Sequence, residues 1–189
     1  MKSIQPKTTI PDELRQLVDF LENLESRASI ERLGELLGEN TSTLDTLKDF
    51  VVFGDKTYRR NLISQGQWYE LLCICWRSGQ RSPIHDHANS TCGLKIIEGT
   101  ATETAFEFTD CGQIKAVHST DCSAGHVCST QDADIHQVSN LQGDGKNLVT
   151  LHIYSPPIGC MDTYSITGNE RTIYVPTNAN IVCEIGDCI

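Results

Sequence analysis

The chain after residue 57 is built from short runs of strand-forming residues, and this pattern limits the fold more than any other feature. The runs are rich in Val, Ile, Thr, Tyr and other aromatic residues, and Gly, Asp, Asn and Ser separate them at intervals of about ten residues. Clear examples span residues 68–76, 92–97, 100–106, 147–154 and 171–175. Many short strands at even spacing are typical of a sandwich or barrel. We therefore predict a mainly β fold, arranged as a β-barrel or jelly roll.

Residues 11–53 have helical spacing instead. Apolar residues recur there every three or four positions, and Pro11 with Asp12 and Glu13 has the composition of a helix start, as do residues 41–43. We predict two or three short N-terminal helices. No repeat or low-complexity linker divides the chain, so residues 1–189 are expected to form a single domain in which residues 11–53 pack on a barrel of residues 57–189.

The charge balance argues against several classes of partner. Lys and Arg number 15 against 25 Asp and Glu, a formal charge of -10, so neither nucleic acid nor an anionic membrane is an expected partner.

The first thirty residues carry charges throughout and lack an uninterrupted apolar stretch, which predicts a cytoplasmic protein without a signal peptide. The nine cysteines are an odd number, which favours free thiols. No exposed apolar patch is indicated, so we expect a monomer.

Three of the six histidines are candidate metal ligands. In a strand, residues two apart share a face, so His85 and His87 would point the same way. His136 lies in the alternating segment 135–138 and is the best third ligand, because a neighbouring strand would bring it opposite the pair. Three histidines suit iron and also catalytic zinc, so the ligands alone do not choose the metal. His118 and His126 adjoin turn residues and are predicted to lie at the surface.

The spacing around these histidines resembles the two cupin motifs. Five residues stand at the defined positions of the first motif: Gly79, His85, His87, Cys92 and Gly99. Three residues resemble the second motif, although Gln131 and Ala133 replace its usual Pro and Gly: Gly125, His136 and Asn140. Cys92 stands where most cupins have a glutamate ligand. Three neutral ligands leave the full dipositive charge on the metal, which favours an anionic substrate such as a thiolate.

Two polar segments are candidates for the substrate side. Alternation places Tyr58 and Arg60 on one strand face, and in the barrel interior Arg60 would need an anionic partner, which a substrate carboxylate would supply. A surface ion pair is the alternative. Thr150, His152 and Tyr154 also share one face, either as a hydrogen-bond relay or as a solvated surface.

Taken together, these residues resemble cysteine dioxygenase, a thiol dioxygenase family of the cupin superfamily. Four segments carry the resemblance: Tyr58-Arg59-Arg60-Asn61-Leu62, Ile84-His85-Asp86-His87, Ser90-Thr91-Cys92 and Leu151-His152-Ile153-Tyr154-Ser155-Pro156-Pro157. The resemblance implies a cupin-type fold and an enzyme of cysteine catabolism that oxidises L-cysteine with O2 to cysteine sulfinic acid, a reaction of taurine and sulfinate metabolism.

The resemblance also implies a role for each site residue. His85, His87 and His136 would bind one Fe(II) per chain. Arg60, helped by Tyr58, would hold the substrate carboxylate, and Tyr154, backed by His152 and Thr150, would hydrogen-bond the bound substrate or oxygen species. Cys92 and Tyr154 match the pair that forms a thioether bond in animal members. Ser155-Pro156 matches a cis peptide bond of the family.

Some residues depart from the family pattern, and other functions stay open. Thr150 replaces the usual serine, and Gly93 replaces a bulky residue of the animal members. A dioxygenase for another small thiol, such as 3-mercaptopropionate, is the nearest alternative, although its relatives usually have glutamine at the position of Arg60. A non-catalytic metal- or ligand-binding cupin and a zinc hydrolase are the others.

Overall fold

The computed structural model describes residues 9–131, 134–168 and 170–177. This part of the chain has two α-helices followed by eleven β-strands in two sheets, so the prediction of a mainly β fold is confirmed. The helices are α1 (Asp12–Glu22) and α2 (Ile30–Glu39). The strands are β1 (Arg59–Gly66), β2 (Tyr69–Trp76), β3 (Ile84–His85), β4 (Thr91–Glu98), β5 (Thr100–Phe108), β6 (Ile114–Ser123), β7 (Val127–Gln131), β8 (Ile135–Ser139), β9 (Leu148–Ser155), β10 (Met161–Tyr164) and β11 (Arg171–Tyr174).

Both helices are amphipathic, and each buries one leucine-rich stripe. The side chain of Ser29 caps α2 by accepting a hydrogen bond from the backbone N–H of Arg32. The third helix that the pattern allowed is not formed, because residues 41–53 contain turns and one 3-10 turn, Lys48–Phe50. The hydroxyl groups of Thr43 and Thr46 hydrogen-bond the local backbone there, which competes with helix formation.

The strands form two antiparallel sheets. The first has the order β1-β2-β9-β4-β7 and the second β11-β10-β3-β8-β5-β6. Within the described ranges the two sheets do not close into one barrel, so that part of the prediction is wrong. The edges of the first sheet are instead covered by helices, since β1 packs against α1 and β7 against α2.

Strands β2 and β9 are inner strands of the first sheet and are buried on both faces. The first sheet therefore lies between two hydrophobic layers. One face packs against the helices and includes Cys73 and Cys75, whose sulfur atoms are 3.9 Å apart. The opposite face, which includes Trp76 and Tyr154, packs toward the second sheet. The cysteines in the described ranges are free thiols, as predicted, and Cys183 and Cys188 lie outside those ranges.

Helix α2 lies close against strand β4 at Gly93. A Cβ atom added at Gly93 would come within 2.7 Å of Leu37 Cδ1, so the glycine allows this close approach. Ala28, two residues before α2, also contacts the first sheet through its backbone. Its carbonyl accepts a hydrogen bond from the Thr91 hydroxyl, and its N–H donates to Ser155 Oγ. None of the helices in the described ranges is long and apolar enough to cross a membrane.

Candidate metal centre and adjoining cavity

His85, His87 and His136 converge in the interior. His85 ends β3 and pairs directly with His136 of β8, while His87 lies in the loop that follows β3 rather than in a strand. Each side chain offers one ligand atom, and these atoms all lie within 4.8 Å of one another. Residues from a strand end, a loop and a second strand thus form the arrangement that a single metal ion requires.

The outer ring nitrogens of the three histidines have protein partners. Nδ1 of His85 lies 3.0 Å from the Pro83 carbonyl oxygen, and Nδ1 of His136 lies 2.6 Å from Glu103 Oε1. Nδ1 of His87 lies 3.4 Å from the Thr130 hydroxyl. Such contacts orient metal-bound imidazoles and direct the Nε2 atoms inward.

One inward nitrogen is left unsatisfied. Nε2 of His87 is buried and has no hydrogen-bond partner among the described residues. Buried polar atoms are nearly always paired, so this one needs an explanation. A metal ion shared with the two neighbouring imidazoles explains it, and the donor set therefore fits a metal.

Burial keeps the imidazoles of His85 and His87 neutral. Removal from water lowers the pKa of His85 well below its usual value, and the neighbouring His136 and His87 lower it further. The same desolvation, followed by the effect of His136, lowers the pKa of His87 to about 3. Both side chains therefore present lone pairs at neutral pH, as metal ligands must.

The three histidines line one interior cavity. All the other predicted site residues except Thr150 line it too: Tyr58, Arg60, Cys92, His152 and Tyr154. Tyr58 stacks on Trp76 with ring centroids 4.3 Å apart. The cavity thus combines a metal-binding wall with a cation and aromatic groups, as small-molecule sites do.

Arg60 is buried, as its predicted role requires, but the protein itself supplies an anionic partner. Its Nη2 lies 2.9 Å from Glu70 Oε1, and both side chains are at most 5% exposed. The guanidinium carbon also lies 5.3 Å from the centre of the Tyr154 ring. Glu70 is not among the site residues predicted from the sequence.

Thr150, His152 and Tyr154 are buried and form a relay rather than a solvated face. The Thr150 hydroxyl accepts a hydrogen bond from Trp76 Nε1 at 3.0 Å and donates to the Ile74 carbonyl at 3.3 Å. Nε2 of His152 lies 2.9 Å from that hydroxyl, and Nδ1 lies 3.2 Å from the Tyr154 hydroxyl.

The contacts are consistent with one direction for the relay. If the single hydrogen of the Thr150 hydroxyl goes to the Ile74 carbonyl, His152 donates from Nε2 to Thr150. Burial lowers the pKa of His152 well below its usual value, so the ring is neutral and Nδ1 carries a lone pair. The Tyr154 hydroxyl therefore donates to His152.

Two acidic residues outside the predicted set hold the metal-binding residues in place. Glu103 on β5 hydrogen-bonds His136, and this contact lowers the pKa of the Glu103 carboxyl. Asp86, between His85 and His87, accepts a hydrogen bond from the Tyr164 hydroxyl at 2.8 Å. Neither contact could be predicted from the sequence, because each depends on a partner from another strand. His118 and His126 are exposed, as predicted.

Comparison with known proteins identifies the relatives of this chain. Residues 1–167 match the family model described as Cysteine dioxygenase type I. Cysteine dioxygenase type 1 of Danio rerio is 29% identical over 177 residues, which are 89% of this chain and 88% of that protein. The human protein of that name is 31% identical over 129 residues, 66% of this chain and 64% of that protein.

A solved structure supports the fold. A conserved protein with a double-stranded β-helix domain from Klebsiella pneumoniae superimposes with a TM-score of 0.52 at 13% identity. The superposition covers 62% of this chain and 88% of the Klebsiella pneumoniae chain. At this identity the likeness shows only that the two chains share their β architecture.

Proposed function

This chain belongs to the cysteine dioxygenase type I family, and from that premise we propose that it adds both atoms of O2 to the sulfur of L-cysteine, giving cysteine sulfinic acid. The observation that carries the proposal is that one cavity contains three converging imidazoles and a buried guanidinium. The first group suits a metal that takes a thiolate, and the second suits a carboxylate. L-Cysteine carries both functional groups on one small molecule.

His85, His87 and His136 would hold one Fe(II) per chain. Ferrous iron, when bound, supplies the redox chemistry by which O2 reacts with a coordinated thiolate. The protein contributes ligand geometry through Glu103 and the Pro83 carbonyl, which fix two of the three rings. Because the ligands are neutral, they leave the positive charge available to an anionic substrate.

Arg60 would bind the substrate carboxylate, with Tyr58 beside it. The guanidinium is buried at the cavity wall, where hydrogen bonds to a carboxylate are strong because water competes little. Binding at that end would orient the thiol toward the three histidines, so that positioning contributes much of the catalysis.

Tyr154, the last residue of the hydrogen-bonded relay that includes Thr150 and His152, would contact the substrate. Its hydroxyl lies 3.2 Å from His152 Nδ1, and the guanidinium carbon of Arg60 lies 5.3 Å from the centre of its ring. Burial raises the pKa of Tyr154, so the phenol stays protonated. We further propose that Cys92 forms a thioether with this ring, and that the enzyme is a single-domain monomer of the cytoplasm.

Oxygen uptake by the iron-loaded protein tests the proposal. L-Cysteine, 3-mercaptopropionate and cysteamine are supplied in parallel, and the sulfinate products are identified by mass spectrometry. We expect the highest kcat/KM with L-cysteine and incorporation of both atoms of labelled O2. Metal binding without uptake for any thiol would point to a binding protein, and activity of a zinc-loaded protein in the absence of oxygen would point to a hydrolase.

A further inference from the structure

Glu70 is an acidic side chain buried directly behind the proposed substrate-binding arginine. It is 2% exposed, it lies 2.9 Å from Arg60 Nη2, and it is not among the residues that line the cavity. Burying a carboxylate is costly unless it is paired, so its presence here calls for a function or a structural reason.

The backbone holds this carboxylate in one place. Glu70 is the second residue of β2 and lies directly opposite Tyr154 of β9, and its Oε1 accepts a hydrogen bond from the Ile158 N–H at 3.3 Å. The same oxygen contacts Arg60. A strand and the loop after β9 thus fix the negative charge against the guanidinium.

We propose that Glu70 is a specificity-determining residue that partly neutralises Arg60 and thereby sets how strongly the cavity prefers thiols that carry a carboxylate. The inference rests on the proposed function, in which Arg60 receives the substrate carboxylate. Glu70 acts through Arg60 and does not contact the substrate.

The physical reason is that two carboxylates would share one guanidinium. A substrate carboxylate arriving at Arg60 is attracted by the cation and repelled by Glu70, and both effects are strong because water is scarce. Cysteamine has a thiol and an amine but no carboxylate, so its binding is little affected by Glu70. The carboxylate at position 70 therefore narrows the difference in affinity between L-cysteine and cysteamine.

The substitution Glu70→Gln removes the negative charge of Glu70 and keeps the size and shape of its side chain. The amide oxygen still accepts from Arg60 and from the Ile158 N–H, while the negative charge is lost. We expect KM for L-cysteine and for 3-mercaptopropionate to fall about tenfold, as for the loss of one repulsive charge in a partly buried site. KM for cysteamine should change less than twofold. Glu35→Gln, which alters an exposed ion pair with Arg32, is the matched control.

A binding measurement provides a second readout without turnover. Glu70→Gln leaves Arg60 buried without this anion and should lower the thermal midpoint of the iron-loaded protein under anaerobic conditions. L-Cysteine should raise that midpoint more in the variant than in the wild type, because it replaces the lost negative charge. If Glu70→Gln does not fold, Glu70→Asp retains the charge at a greater distance and should lower KM for L-cysteine by a smaller factor.

The outcomes distinguish this inference from the proposed function. A higher or unchanged KM for L-cysteine in Glu70→Gln or Glu70→Asp, with an active wild type, overturns the inference alone, since Glu70 would then only orient Arg60. A wild type that neither binds nor oxidises any of the three thiols overturns both. A fall in KM confined to the two carboxylate thiols supports both.

Discussion

Cys92 on β4 pairs directly with Tyr154 on the neighbouring antiparallel strand β9, and both side chains line the cavity. Direct cross-strand partners on one face have neighbouring Cβ atoms. We predict that turnover with O2 links the Cys92 sulfur to the Tyr154 ring, with loss of the thiol hydrogen and one ring hydrogen. Intact-mass spectrometry should show a species lighter by two hydrogens, which Cys92→Ala abolishes. A lighter species that persists in Cys92→Ala would contradict this pairing.

Glu103 should strengthen metal binding through His136. Replacing it by glutamine weakens the short contact to His136 Nδ1, and we expect a 10- to 100-fold lower Fe(II) affinity, as is typical when a residue that orients a metal ligand is changed. Anaerobic iron titration measures this effect. Glu107→Gln alters an exposed residue of the same strand and should bind iron as the wild type does. Equal affinities of the two variants would exclude the role of Glu103.

Arg60→Ala should separate substrate binding from metal binding. We expect KM for L-cysteine to rise roughly a hundredfold because a buried cation that pairs with the carboxylate is lost, while iron content stays near one per chain. The variant should also lose about 3–5 kcal/mol of stability, since Glu70 is left buried without this partner. Arg77→Ala, outside the cavity, is the control for both kinetics and unfolding. Unchanged cysteine kinetics would rule out the carboxylate assignment.

The Thr150 hydroxyl should be needed for the direction of the relay. Thr150→Val leaves the N–H groups of Trp76 and His152 unpaired, and we expect a stability loss of about 1–3 kcal/mol with a larger change in kcat than in KM. Thr150→Ser keeps the hydroxyl and should restore both. Nitrogen NMR of the metal-free protein should find the His152 proton on Nε2. A proton on Nδ1 would contradict the relay described above.

Stability of the metal-free protein should fall in mild acid because His152, like His85 and His87, is buried in its neutral form. Its folded pKa lies below the unfolded value of about 6.5, so the unfolded state binds the proton first. The contribution to stability is complete above pH 6.5 and is lost as the pH falls toward the folded pKa, at about 1.4 kcal/mol per unit. Denaturant unfolding of the metal-free protein from pH 7.5 to 5 tests this. His152→Gln should show a smaller slope, and an equal slope would assign the effect elsewhere.

Local periodicity was enough to predict which of several candidate side chains lie together. The i and i+2 spacing of His85 and His87 indicated a shared face, even though β3 ends at His85 and the loop places His87. The same alternation correctly grouped Thr150 with His152 and Tyr154, because β9 is a regular strand.

Other features depended on distant partners and therefore escaped sequence reasoning. Glu70 contributes to the site through its contact with Arg60, and Glu103 through its contact with His136. No spacing in the sequence predicts either contact. The prediction that the sheets form a barrel was wrong for a related reason. Whether a sheet edge meets another strand or a helix is decided by tertiary packing, and here α2 covers β7.

Gly93 connects the architecture of the helices to the site, because it follows Cys92 directly and lets Leu37 of α2 approach β4. A larger side chain at this position would first have to displace the end of the Leu37 side chain. A chimeric protein that combines these helices with the strands of a relative bearing a bulky residue there would therefore need Leu37 to move or to be replaced at the same time.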